Sequence, residues 1–173
     1  MEHVTRAHLI DAMTQYDRGD VLRIQHFLKV HDLAVTIGTL EGMPQADLDI
    51  LEAAAILHDI GIHPAEKKYG NCAGPHQEML GPGEAVKLVT SVNGLLPQGS
   101  RIGNDALERI CFLIAHHHTY SGVDSLDWQI LLEADFLVNL YEDGETLSAV
   151  RKVRESIFRT ASGTRILDNM FGL

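Results

Sequence analysis

No stretch of this chain approaches the roughly 18 consecutive apolar residues that a transmembrane helix requires, so none is expected. Cysteine is nearly absent. Cys72 and Cys111 are the only two and lie far apart, neither in a C-x-x-C pair, which excludes a disulfide scaffold and fits a reducing cytoplasm. The segment Met1-Glu2-His3-Val4-Thr5-Arg6, followed by Asp11 and Asp17, has no secretory apolar region, and a cytoplasmic protein is expected. There is no useful strand-like alternation, no internal repeat and no low-complexity segment. A Gly-rich phosphate loop, a G-x-S-x-G elbow and a Cys-nucleophile motif are missing as well. Positive charge is scarce: 14 Lys and Arg stand against 24 Asp and Glu, a formal net charge of -10. That balance disfavours long nucleic acid and anionic membranes as partners. A small phosphorylated substrate remains compatible with it, because metal ions can supply local positive charge.

What is present reads as one all-α domain over residues 1–173, with 45% hydrophobic residues and length enough for a single good core. Six or seven helices are expected. The first runs from about Thr5 to Tyr16 and breaks near Gly19. Asp20 is placed to cap a second from about Val21 to Gly42, and a third spans about Asp47 to Leu57, before Gly61. Pro82 suits the first turn of a fourth, ending near Gly94, since its missing N–H is not needed there. A fifth covers about Asn104 to His116, a sixth Asp124 or Ser125 to about Tyr141, and a seventh about Glu145 to Thr160. Between Ile62 and about Gly81, Pro64, Gly70, Gly74, Pro75 and Gly81 leave no sustained period. A loop of that length inside a compact domain is usually functional, and this one carries His63, Lys67, Lys68 and His76. It is expected to form a lid or wall of the active site. The tail Met170-Phe171-Gly172-Leu173 reads as either a docking segment or a frayed end.

Ten histidines is a high count for 173 residues, and their clustering says more than the number. His58-Asp59 ends the apolar run Leu51–Leu57, where a helix terminus lets adjacent side chains reach one ion. The following Ile60-Gly61 supplies that terminus, with Gly61 able to take a left-handed conformation. His26 shares an inward helical face with Leu22, Val30 and Leu33, but His31 has an equally apolar neighbourhood, and periodicity does not choose between them. Asp135 lies inside Ile130–Val138 on the face of Trp128, Leu131 and Val138, where a carboxylate must be paired or bound. A buried salt bridge would also satisfy it, yet few Lys or Arg fall in core-like runs. Glu133 points elsewhere on that helix and reads as solvated. His116-His117-His118 closes another apolar run, and only one or two of the three can face a single ion. Imidazoles and carboxylates spread over separate hydrophobic segments point to ligands converging on metal in a helical core.

These residues in this order resemble the HD-domain metal-dependent phosphohydrolase superfamily. The pieces that carry the resemblance are His26-x-x-x-Val30-x-x-x-Ala34, Ala54-Ala55-Ile56-Leu57-His58-Asp59-Ile60-Gly61, and Asp135 of Glu133-Ala134-Asp135-Phe136-Leu137. They span about Val21 to Tyr141, the motif-bearing core of a single HD domain. The resemblance implies an all-helical bundle in which His26, His58, Asp59 and Asp135 bind a divalent metal, and it favours His26 over His31. His76 and His116-His117 are similar to the extra histidines by which some members hold a second metal, with Asp59 bridging. His118 and His31 are then supporting or alternative residues. Thr119-Tyr120-Ser121-Gly122 follows the histidine triplet, so the HD-GYP subgroup is a poor match. Ile62 and His63 stand where the family often places a lysine, which leaves Lys67 or Lys68 to supply a cation.

The expected chemistry is metal-assisted hydrolysis of a phosphate ester or anhydride on a nucleotide or other small metabolite, with one or two ions of Mn, Fe, Co, Ni or Mg. Asp59 would hold metal and orient the attacking water, Lys67 or Lys68 would neutralise developing charge, and His63, His76 or His118 would protonate the leaving oxygen. Two alternatives use the same ligands: a di-iron oxygenase, and a catalytically silent nucleotide-binding regulator. The sequence leaves homo-oligomer formation open.

Overall fold

The computed structural model describes all residues from Met1 to Leu173, and every regular element in it is helical. The nine α-helices are α1 (His3–Tyr16), α2 (Val21–Leu40), α3 (Gln45–Leu57), α4 (Ile62–Tyr69), α5 (Gly74–Leu95), α6 (Asn104–Ile114), α7 (Leu126–Glu142), α8 (Leu147–Ser156) and α9 (Ala161–Phe171). A single 3-10 turn, Gln98–Ser100, lies between α5 and α6. No helix is long and apolar enough to cross a membrane.

The second half of α3, Leu51–Leu57, is the centre of the molecule because its sequence leaves it no polar face. Leu51 through Leu57 are all buried, including Glu52, and α1, α2, α6 and α7 pack around them. A helix apolar all round has to be enclosed in this way. The α2 helix lies against both α3 and α7. Asp20 starts it as expected, its carboxylate accepting from Arg23 N at 3.1 Å, and Gly42 follows its end with φ +71°. Glu52 is balanced where it is buried, receiving Arg6 Nη1 at 2.9 Å and lying 3.0 Å from His31 Nε2.

Two expectations about the elements are corrected. The segment 62–81 is not an irregular lid: it forms α4 and the first turns of α5, and only Gly70–Ala73 lies outside helix. Pro82 therefore sits inside α5 rather than at its start. Tertiary packing overrides the local breakers here. A Cβ at Gly61 would fall on the backbone oxygen of Gln77, and one at Gly81 would come within 2.6 Å of Ile114 Cγ2, so these two glycines let α5 press against the α3–α4 junction and α6. Gly61 itself has φ −74°, an ordinary helical value; it is required for close approach, not for a left-handed turn.

The second correction concerns the chain after α7. The expected seventh helix, about Glu145 to Thr160, is α8 and stops at Ser156; a further helix that was not expected, α9, follows the turn Ile157–Thr160. The cause is Glu133, which is fully buried rather than solvated. Its carboxylate accepts from Arg159 N at 2.6 Å, Thr160 N at 2.9 Å and the Thr160 hydroxyl, and so folds the chain over α7. Thr160 Oγ1 in turn caps α9 by accepting from Gly163 N at 2.9 Å. Phe171 and Leu173 pack against the core, so the C-terminal residues are neither frayed nor projecting.

Candidate metal centre

Four helix-borne segments meet at one end of α3. His26 comes from the second turn of α2, His58 and Asp59 from the end of α3, His117 and His118 from the turn after α6, and Asp135 from the middle of α7. The Nε2 of His26 lies 3.2 Å from Nε2 of His58 and 3.1 Å from Asp135 Oδ1. Asp59 Oδ2 is 3.6 Å from His26 Nε2 and 3.4 Å from His58 Nε2, while its other oxygen is 3.4 Å from His117 Nε2. The donors form two groups able to hold a metal, His26–His58–Asp135 and Asp59–His117–His118. Asp59 turns one oxygen toward each. Its side chain is 19% exposed, whereas those of His58 and His117 are fully buried, so the open side of the centre is at Asp59.

The ring orientations are determined by hydrogen bonds on the far nitrogens. His58 Nδ1 lies 2.9 Å from Ala55 O and His117 Nδ1 lies 2.7 Å from Ile114 O. A carbonyl only accepts, so each Nδ1 carries the proton and each Nε2 presents a lone pair to the centre. The Nε2 atoms of His117 and His118 are buried with no hydrogen-bond partner. Buried polar atoms are rarely left so, and imidazole nitrogens facing carboxylates are what a divalent cation requires. The residues present fit the ion.

Electrostatics follow from the crowding. Burial opposes ionisation of Asp59, but the neighbouring His58 and His117 outweigh it and hold the carboxyl well below the usual range. Asp135 is lowered in the same sense: burial opposes it, while the bonds from His26 and His58 prevail. Burial opposes protonation of His26, yet the bond to Asp135 and the charge of Asp59 raise it to about 9. His58 is raised too, against burial, by Asp59 and Asp135. His118 goes the other way, down to about 4, through burial and then the neighbouring His117. Two ionised carboxylates facing buried imidazole nitrogens make a cavity prepared for positive charge.

Other residues picked out from the sequence lie elsewhere. His116 turns away: its ring stacks on Phe112 with centroids 4.1 Å apart, and its Nδ1 bonds Phe112 O at 2.7 Å. Three successive residues leaving a helix end diverge, and it is His117 with His118 that faces Asp59. His76 is outside both groups, stacked on Tyr69 at 4.0 Å with Nδ1 2.9 Å from Asn71 Oδ1. His31 serves the Glu52 cluster. His63 has both ring nitrogens engaged, Nε2 with Asp17 Oδ1 at 3.1 Å and Nδ1 with Arg23 Nη1 at 3.1 Å, so neither is free to protonate a leaving group. Lys67 and Lys68 are exposed on α4, and Lys68 Nζ lies over the Tyr69 ring at 4.8 Å.

Several supporting residues were not singled out from the sequence. Asn139 Nδ2 donates to Asp135 Oδ1 at 2.9 Å, and Glu142 Oε2 meets His26 Nδ1 at 2.8 Å. Both lie at i+4 and i+7 from Asp135, so the helical register of the aspartate was the signal that could have found them. Glu78 holds the histidine turn, its Oε1 accepting from His118 N and Thr119 Oγ1, both at 3.0 Å. Arg23, one turn before His26, is held against Glu66 at 2.6 Å and Asp20 at 3.1 Å.

With this geometry in view, the comparison with protein families is decisive: the model of the HD domain matches residues 23–151. The chain belongs to the HD domain family. The matched span contains every donor of both groups. Among solved structures, this HD domain is similar to the crystal structure of a predicted HD superfamily hydrolase from an uncultured Thermotogales bacterium. The two are 21% identical with a TM-score of 0.64, the match covering 95% of this chain and 83% of that one. At that identity the likeness shows the shared helical fold. No curated protein matches this HD domain.

Proposed function

We propose that this HD domain is a metal-dependent phosphohydrolase acting on a nucleotide or another small phosphorylated metabolite. The observation that carries the reading is Asp59, whose two oxygens face two separate groups of buried imidazole donors. His26, His58 and Asp135 would hold one divalent ion, His117 and His118 a second, and Asp59 would bridge them. Mn, Fe, Co, Ni and Mg all suit such a mixed nitrogen and oxygen set. A divalent ion bound there lowers the pKa of coordinated water and polarises phosphoryl oxygens.

The protein's own part is placement. Asp59, at the open side, orients the attacking water through its carboxylate. Asn139 fixes Asp135, and Glu78 fixes the turn bearing His117 and His118, so the donors cannot follow a departing product. Arg23, held one turn before His26, supplies a positioned cation. The net charge of -10 supports a small substrate drawn by the centre itself over a long polyanion.

The test is metal analysis of the purified protein together with phosphate release from a panel of nucleotides and phosphoesters, for wild type and Asp59→Ala. Release that needs metal and disappears in the variant supports hydrolysis. Metal-replete protein that releases nothing overturns it. Iron with oxygen consumption would then identify an oxygenase on the same ligands, and tight nucleotide binding without turnover a regulatory domain.

A further inference from the structure

His58, His117 and His26 each use Nδ1 to aim Nε2 inward, but His26 does so by a different means. The partners of His58 and His117 are the carbonyls of Ala55 and Ile114, in the last turns of α3 and α6. Carbonyls there have no intrahelical donor and are free to accept. His26 sits inside α2, where each nearby carbonyl already accepts from the residue four positions on. Its Nδ1 instead meets Glu142 Oε2 at 2.8 Å, from a helix 116 residues away in sequence. Glu142 ends α7, where the helix dipole disfavours a carboxylate. Lys29 offsets that, its Nζ holding Glu142 Oε1 at 2.6 Å. Lys29 and His26 are i+3 on α2, so one face of that helix presents both to the same carboxylate.

We propose that Glu142, neutralised by Lys29, is the positioning residue that fixes His26 with its proton on Nδ1 and its Nε2 directed at the ion. This rests on the metal reading above. A carboxylate behind a metal-bound imidazole both sets the tautomer and raises the basicity of the ligating nitrogen. Glu142 touches neither ion nor substrate.

The experiment uses the full chain and Zn²⁺ as a diamagnetic probe, with affinity from chelator competition and ring-nitrogen NMR of the zinc-loaded protein. Glu142→Ala should weaken Zn²⁺ binding by about 10–100-fold. Glu142→Gln, which keeps an acceptor oxygen, should recover part of that loss, and Lys29→Met should cost less than Glu142→Ala. The His26 resonances should shift in Glu142→Ala while those of His58 and His117 stay in place, a selectivity that a general structural defect would not produce. Glu142 is partly exposed at a helix end, so the variants should fold. Equal Zn²⁺ affinity in wild type and Glu142→Ala, or an unchanged His26 signature, overturns the inference while leaving the metal reading standing. Wild type that binds no Zn²⁺ overturns both.

Discussion

The Nε2 atoms of His26 and His58 lie 3.2 Å apart, although 32 residues separate the two histidines. Each ring has its Nδ1 already engaged, so the two lone pairs converge on one point beside Asp135 and Asp59. Two imidazoles at that distance must share a proton or a cation. The rest of the molecule is arranged to make the meeting unavoidable, and the expectations below follow from how it does so.

Removing the ion should matter through folding as well as turnover. A ligand at about 100 times its Kd stabilises by about 2.7 kcal/mol, or about 5–10 °C in a domain of this size. A chelator should therefore lower the melting temperature of the wild type by roughly that amount. Asp135→Asn, which keeps shape but loses charge, should bind metal more weakly by at least the 10–100-fold typical of supporting residues, and its melting should respond correspondingly less to the chelator. Scanning calorimetry with and without chelator checks both. An Asp135→Asn variant as chelator-sensitive as the wild type would sink the assignment.

Glu133→Ala should destabilise without touching the site. The substitution strips partners from Arg159 N, Thr160 N and the Thr160 hydroxyl and opens space under α9. Unsatisfied buried groups cost about 1–3 kcal/mol each, partly recovered by solvent entry, so a net loss of about 2–4 kcal/mol is expected in urea unfolding. Activity per folded molecule should be preserved.

Acid stability should report Glu52. Burial opposes its ionisation, but the bonds from His31 and Arg6 lower it from the ordinary 4.5 to about 2. A carboxyl depressed on folding stabilises fully above its unfolded value, and that stabilisation disappears as pH falls through the folded value. The contribution, on the order of 2–3 kcal/mol after solvent screening, should thus be present above about pH 4.5 and gone near pH 2. Glu52→Gln should lose stability at neutral pH and show a flatter acid limb. Parallel limbs in the two proteins would count against this account.

Gly61→Ala tests the junction that carries Asp59. The added methyl meets the backbone of Gln77, which has no flexible end to yield, and overpacking of this kind costs about 1–3 kcal/mol. Unlike Glu133→Ala, this variant should also weaken metal binding, because the turn between α3 and α4 must shift with it. Normal affinity in a destabilised protein would show that the turn and the site are independent.

Much of this was legible in one dimension. The capped start of α2, the enclosed α3 and the placing of His26, His58, Asp59 and Asp135 on apolar helical faces follow from periodicity and end signals, which are local. Periodicity did not choose His26 over His31, since both neighbourhoods are apolar; the family resemblance did, and packing gives the reason, with His31 serving Glu52 and His26 meeting Asp135. The segment 62–81 was misread because Pro and Gly signal breaks locally, while here Gly61 and Gly81 serve an interhelical contact and α5 runs through Pro82.

The sequence by itself thus determined an all-helical chain with imidazoles and carboxylates stranded on hydrophobic faces, since burying them costs too much unless something pairs with them. Only the tertiary structure decided which of them meet. It turned His116 onto Phe112 and His117 toward Asp59, left His76 on Tyr69, buried Glu133 as a staple, and brought Glu142 behind His26. Those outcomes depend on the angles at which helices cross and on where their ends fall. Such quantities are set by the packing of the whole core and by no residue's immediate neighbours.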